Sequence, residues 1–178
     1  MIAVADTSPL CYLVLINEVD LLRKLFSEVV VPTAVITELL HEDAPEPVRS
    51  WAANLPSWVS VQENPVRNTA GLEKLQIGEQ TAILLAESIS AGLILLDEKS
   101  ARRVAAERGM RITGTLGVLG EAALRGLVDL PAAIDRLRRT NFRCSPALMK
   151  ATLDRFISPP RNAGRLLWFR GGKQRAVD

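Results

Sequence analysis

Histidine and cysteine are nearly missing from this chain: His41 is the one histidine among 178 residues, and Cys11 and Cys144 are the two cysteines. A single imidazole supports neither conventional zinc ligation nor a His-based catalytic triad. Two cysteines make no disulfide framework, and Cys11, inside the apolar run Leu10-Cys11-Tyr12-Leu13, reads as a buried structural thiol. Aromatic residues are only 4% of the chain, so the core must be built from Leu, Val, Ile and Ala. No apolar run approaches the roughly 18 residues of a membrane span. The opening Met1-Ile2-Ala3-Val4-Ala5-Asp6 has no basic flank and meets an aspartate before a signal-length apolar segment develops, so a soluble cytoplasmic protein without a membrane partner is expected. No GxxxxGK[ST] loop occurs, Gly114-Thr115-Leu116-Gly117 does not replace it, and His41-Glu42 lacks the second histidine of HExxH. These absences count against a nucleotide-driven motor and a zinc protease.

What is present is ordinary globular composition, 48% hydrophobic and 24% charged. The length suits one domain that buries roughly two thirds of its unfolded surface. The net charge of +2 is unevenly spread: Arg161, Arg165, Arg170, Lys173 and Arg175 against Asp178 give residues 161–178 a local +4, which leaves residues 1–160 at −2. The body is therefore not a strongly basic surface. The extension over residues 159–178, set apart by Pro159-Pro160, either attracts a polyanion or is a solvated terminus.

Apolar runs and breakers alternate along the chain. Ile2 to Ala5 reads as a strand ending at Asp6, with a helix over residues 9 to 16 behind Thr7-Ser8-Pro9. Leu21 to Phe26 reads as a short helix, and Val29-Val30-Val31 as a strand stopped by Pro32. Thr33 opens a helix that carries Glu38 near its end, where the helix dipole does not favour a carboxylate. Further helices are predicted at Pro47 to Asn54, from Gly78-Glu79 onward, at Ser100 to Arg108, Thr115 to Leu124, from Pro131, and from Ser145-Pro146 to Ile157. Strands are predicted at Trp58 to Val61, Leu93 to Leu96 and Arg111 to Thr113, with a surface connection over residues 62 to 71. Strand-helix alternation of this kind predicts right-handed crossovers around a mainly parallel sheet, in a three-layer α/β/α fold.

Sites in such sheets collect just beyond the carboxyl ends of strands. Asp6 and Asp97 both take that position, and Glu38 and Glu79 lie on helices that can approach the same edge. Four carboxylates in one cavity repel unless protonated or neutralised. Mg²⁺ or Mn²⁺, hard ions that accept carboxylate oxygens and retain waters, would neutralise them and could activate a water against a phosphodiester. On this reading Asp6 and Asp97 are the principal ligands, Glu79 a direct or water-mediated one, and Glu38 orients water or completes the shell. Against it, twenty acidic residues place some at strand and helix ends by chance. The hydroxyls of Thr7, Ser8 and Thr113 could position a carboxylate, water or phosphate; Thr7 or Ser8 could equally cap the next helix. Glu98 either assists a neighbouring ligand or starts a solvent-facing helix, and Lys99 either contacts phosphate or does the same. Arg102 and Arg103 either guide RNA or form a charged helix face.

Ala5-Asp6-Thr7-Ser8-Pro9-Leu10, Val31-Pro32-Thr33-Ala34-Val35 through Glu38-Leu39, Gly78-Glu79-Gln80-Thr81-Ala82-Ile83 and Leu95-Leu96-Asp97-Glu98-Lys99-Ser100-Ala101-Arg102 together resemble a VapC-like subfamily of PIN-domain proteins. The stretch from Val104-Ala105 through Ile112-Thr113-Gly114-Thr115-Leu116-Gly117 extends the resemblance over most of residues 2–158. It implies a PIN-like domain over residues 1–158 and a Mg²⁺- or Mn²⁺-dependent ribonuclease, with Asp6, Glu38, Glu79 and Asp97 at the family's acidic positions. The more usual residue at the Glu79 position is Asp. It further implies the toxin of a toxin-antitoxin pair, a homodimer and a cognate antitoxin as partner, with RNA as substrate. The alternative is a catalytically weak PIN-like RNA- or protein-binding regulator.

Overall fold

A computed structural model describes residues 1–63 and 69–157. The basic segment 159–178 and part of the expected connection at 62–71 lie outside the described residues. The elements run β1 (Ile2–Ala5), α1 (Thr7–Leu15), α2 (Leu21–Leu25), β2 (Glu28–Pro32), α3 (Thr33–Leu39), α4 (Glu46–Ala53), β3 (Val59–Gln62), α5 (Ile77–Ser88), β4 (Leu93–Leu95), α6 (Lys99–Glu107), β5 (Ile112–Thr113), α7 (Thr115–Leu124), α8 (Leu130–Arg138) and α9 (Pro146–Ile157). The five strands form one all-parallel sheet in the order β3-β2-β1-β4-β5. The expected three-layer α/β architecture is thus the observed one.

The strands are apolar on both faces because helices cover both. Successive side chains alternate between faces. Ala3, Ala5, Val29, Val31, Leu93 and Leu95 join one core with residues of α1, α2, α7 and α8, whereas Val4, Val30, Ile94 and Leu96 join a second core with residues of α5 and α6. Small Ala3 and Ala5 in the central strand leave room for Leu10, Leu13 and Leu119, all fully buried.

Strand order reverses at β1. The chain builds outward through β2 and β3, then returns to add β4 and β5 on the other side. The crevice at such a reversal lies between the carboxyl ends of the two strands that flank it. Here those ends are Ala5 and Leu95, which are register partners, and Asp6 follows directly, its amide donating to the Leu95 carbonyl at 3.2 Å. Asp97 stands two residues beyond Leu95.

Element ends differ from the predictions by one or two residues, each for a local reason. Helix α1 begins at Thr7 rather than Pro9, because a proline in the first turn lacks only an N–H that no intrahelical carbonyl would use. Helix α5 stops at Ser88, and Ser90 just beyond it takes a positive φ of 50°. Asp129 caps α8 by accepting from the Ala132 amide at 3.0 Å, and Ser145 does the same for α9 from Leu148 at 3.1 Å.

Candidate active site

Asp6 takes the N-cap position of α1 in extended conformation, yet its side chain accepts no capping hydrogen bond. It is 3% exposed, and its Oδ1 is buried without a hydrogen-bond partner among the described residues. A buried carboxylate oxygen left this way is costly and calls for an explanation. Burial raises the Asp6 pKa to about 7; the Thr7 amide opposes the rise, the Glu79 and Glu38 carboxylates reinforce it, and the Ser8 amide opposes it. Three acids thus share one region of negative potential at the end of β1.

Glu38 is drawn into that region by two donors. The Thr7 hydroxyl donates to Oε2 in a short hydrogen bond, and the Gly78 amide at the start of α5 donates to Oε1 at 2.9 Å. Those bonds answer the absence of help from the α3 dipole. They also decide the open question about Thr7, whose hydroxyl holds Glu38 and does not cap α1. Gly78 leaves room for this approach: a Cβ there would stand 2.6 Å from Glu38 Oε2 and 2.9 Å from Thr7 Oγ1.

Glu79, 6% exposed, is in the first turn of α5, and its Oε2 accepts from the Gln76 amide at 2.9 Å. Its carboxylate therefore helps to close the helix start, the reciprocal arm of a capping box. Burial raises its pKa first; the Gln76 amide opposes, and the charges of Glu98 and Glu38 add to the rise. Glu98 is exposed at the N-cap of α6, near enough for Glu79 to feel its charge.

Asp97 has a different environment. The Thr115 amide donates to its Oδ1 at 2.8 Å and the Thr115 hydroxyl to its Oδ2 at 2.6 Å. Burial raises its pKa, while the two Thr115 bonds and the Arg102 charge oppose. Arg102, a candidate RNA contact by sequence, points inward: its Nη1 donates to the Leu96 carbonyl at 2.8 Å. Arg103 is exposed and pairs with Glu107 at 3.9 Å. Thr113 is buried, but its hydroxyl lies against Gly117, where a Cβ would overlap it. The hydroxyl that reaches Asp97 is that of Thr115, which sequence reasoning treated only as a helix start. The sign for it was present, since a Thr directly after Gly114 at the start of α7 can offer amide and hydroxyl to the same strand edge.

The structure therefore links Asp6, Glu38 and Glu79 electrostatically and seats Asp97 on Thr115 beside Arg102. Among the described residues, no group of three or more His, Cys, Asp or Glu side chains forms a set able to hold a metal ion by itself. The donor chemistry nevertheless fits a hard divalent cation. Mg²⁺ commonly uses one or two carboxylates and keeps its waters, and Asp6, with its Oδ1 unpartnered and the charges of Glu79 and Glu38 acting on it, lacks a positive partner.

The remainder of the chain adds two facts. His41 is exposed, and its Nδ1 accepts from the Asp43 amide at 3.3 Å; both cysteines are free and partly buried. Among the described residues no helix is long and apolar enough to cross a membrane.

Compared with known families, residues 2–158 match the model of the DUF3368 family, a PIN domain. A search of curated proteins finds no match.

Proposed function

This chain belongs to the PIN-domain family, whose members are generally nucleases that use divalent metals; from that premise we propose that it is a Mg²⁺- or Mn²⁺-dependent endoribonuclease that hydrolyses RNA phosphodiester bonds. Residues 1–158 form the nuclease domain on this reading, and residues 159–178 a basic extension. The observation that carries the proposal is the buried, unpartnered Oδ1 of Asp6 beside Glu38 and Glu79.

Asp6, Glu79, Asp97 and Glu38 are the groups that would hold the ion. Bound there, the cation would supply Lewis-acid stabilisation of phosphate charge and an acidified water. The protein's own part is arrangement. Thr7 and the Gly78 amide hold Glu38 in one orientation, from which its carboxylate can orient the attacking water. Thr115 fixes both oxygens of Asp97, and the positive charge of Arg102 beside Asp97 stabilises its charged form. The Gln76 amide holds the Glu79 carboxylate at the start of α5.

The physiological reading is the toxin of a toxin-antitoxin pair, a cytoplasmic homodimer restrained by a cognate antitoxin. A second reading, a PIN-like RNA- or protein-binding regulator with little catalysis, draws support from Asp97, whose oxygens are already engaged by Thr115 next to a guanidinium. Purified full chain incubated with several end-labelled structured RNAs in Mg²⁺ or Mn²⁺ separates the two. The nuclease reading expects cleavage that EDTA stops and that an Asp6→Asn, Asp97→Asn double substitution abolishes. Cleavage at an unchanged rate in the double variant would remove the site, and tight RNA binding without cleavage across the set would favour the regulator.

A further inference from the structure

A cavity of about 380 Å³ opens beside Asp97, between the β5–α7 edge and α9. It contains none of Asp6, Glu38 and Glu79. Ile112 and Leu116 make part of its lining aliphatic, and Phe142 and Phe156 make part of it aromatic. Both rings are fixed from behind. Tyr12 meets Phe142 edge-on, with centroids 4.9 Å apart and planes at 84°, and Phe156 lies so close on Gly120 that a Cβ there would overlap its ring. Leu148, 53% exposed, leaves apolar surface open to solvent at the same cavity.

Its charges are mostly positive. Lys99 and Arg143 are exposed at the cavity and have no salt bridge among the described residues. The two acids that line it are already engaged, Glu121 by Arg125 at 2.8 Å and Asp97 by Thr115. An aromatic lining with exposed cations beside it suits a ligand that is flat and apolar on its faces and anionic at its edge, the chemistry of a nucleotide. The volume lies toward the lower end of the usual range for small-molecule sites, about 300–1,000 Å³, which suits one nucleotide and excludes a duplex.

We propose that this cavity, built by Phe142, Phe156, Lys99 and Arg143 beside Asp97, binds a single unstacked base of the RNA substrate and directs the neighbouring phosphate to the acidic site. The base lies in the cavity, and Lys99 and Arg143 hold its flanking phosphates. An RNA whose target base is paired must then open before it can be cut, so single-stranded loops are the preferred substrates. The identity of the ligand as substrate rests on the nuclease reading, whereas the existence of a base-binding cavity does not.

The test measures binding to the full chain in EDTA, so that no cleavage is needed. Fluorescence anisotropy compares a labelled pentaribonucleotide with an abasic pentamer of the same charge, for wild type, Arg143→Glu, Ala151→Leu and Lys24→Glu. Ala151 is exposed on α9 and lines the cavity, so leucine there reduces its volume at little cost to the helix. Lys24, on α2 ahead of the amino end of β2, reports charge effects unrelated to the cavity. The proposal expects wild type to bind the abasic pentamer about tenfold more weakly than RNA. Ala151→Leu should weaken RNA about tenfold and leave the abasic probe unchanged, Arg143→Glu should weaken both, and Lys24→Glu should stay within about twofold.

Equal binding of the two probes by wild type, or unchanged RNA binding in Ala151→Leu, would overturn the proposal. Tighter RNA binding in Ala151→Leu would overturn it as well, by pointing to a segment of the chain itself as the occupant. Base-dependent binding without Mg²⁺- or Mn²⁺-dependent cleavage would retain the cavity and remove the nuclease reading. Cleavage with an unaltered KM in both cavity variants would do the reverse.

Discussion

Replacing Gly78 by alanine tests how Glu38 is held. The new Cβ would stand 2.6 Å from Glu38 Oε2, 2.9 Å from Thr7 Oγ1 and 3.0 Å from Glu38 Cδ. All three atoms belong to side chains, so the clash is relieved by swinging Glu38 away and not by moving backbone. That movement breaks the 2.9 Å bond from the Gly78 amide and the bond from the Thr7 hydroxyl. Hydrogen bonds to a charged group contribute about 1.5–3 kcal/mol each. Glu38 is only partly buried and regains water on release, which places the loss near the lower end, about 3 kcal/mol for the pair. Alanine in place of helical glycine returns at most about 1 kcal/mol. The net is a destabilisation of about 2 kcal/mol, or a fall in Tm of about 4–8 °C for a chain of this size. Cleavage should fall about 100-fold, since a carboxylate displaced by about 1 Å no longer orients the attacking group. Calorimetry in EDTA and a cleavage assay in Mn²⁺ read the two effects separately. In a Glu38→Ala background both contacts with Glu38 are gone and only the 2.9 Å approach to Thr7 Oγ1 remains, so Gly78→Ala should cost much less than it does in wild type. An equal penalty in both backgrounds, or wild-type Tm and activity in the single variant, would refute this account of the glycine.

Asp6 sets a pH dependence. Its folded pKa is about 7 against 3.8 for the ordinary group, so the metal-free protein holds the proton more tightly when folded, and stability is lost as pH rises from about 4 to 7. The loss approaches about 4 kcal/mol at pH 8, at about 1.4 kcal/mol per pH unit. Urea unfolding in EDTA should show Asp6→Asn with a shallower pH slope and stability at pH 8 at or above wild type; identical slopes would contradict the assignment. Thr115→Val removes the 2.6 Å bond to Asp97 and should cost about 1.5–3 kcal/mol, with Thr115→Ser restoring most of it. Indistinguishable urea midpoints for the two would show that the hydroxyl does not hold Asp97. Gly114→Ala should cost about 3 kcal/mol, and unlike Gly78→Ala it should not be rescued by removing the acid, because its Cβ would meet the Leu96 backbone carbonyl at 2.9 Å as well as Asp97. Recovery of Tm in Asp97→Ala would count against that distinction.

The sheet was legible because its strands are short, β-branched or aliphatic runs, with Pro32 ending β2, Gly92 preceding β4 and Gly114 following β5, and because parallel strands buried on both faces leave no ambiguity of side. The placement of Asp6 and Asp97 at neighbouring strand ends follows from that pattern together with the strand order. The grouping within the site was not legible. Which donors reach Glu38 depends on the approach of α5 to α3, a contact between residues 40 positions apart that no local spacing reports. Helical phase likewise turned Arg102 inward to the Leu96 carbonyl and left Arg103 in solvent, though the two are adjacent in sequence. Thr115 was passed over for a similar reason: its role follows from the turn at Gly114, where an extended φ of −143° directs the first amide of α7 at Asp97.

The central claim is that a divalent cation answers the unpartnered oxygen of Asp6. Anomalous scattering from crystals of the full chain soaked in Mn²⁺ tests it most directly. The account predicts a manganese peak at Asp6, with Glu79, Glu38 or Asp97 around it. A peak at acids elsewhere, or none at Asp6 in crystals grown at neutral pH, would contradict it.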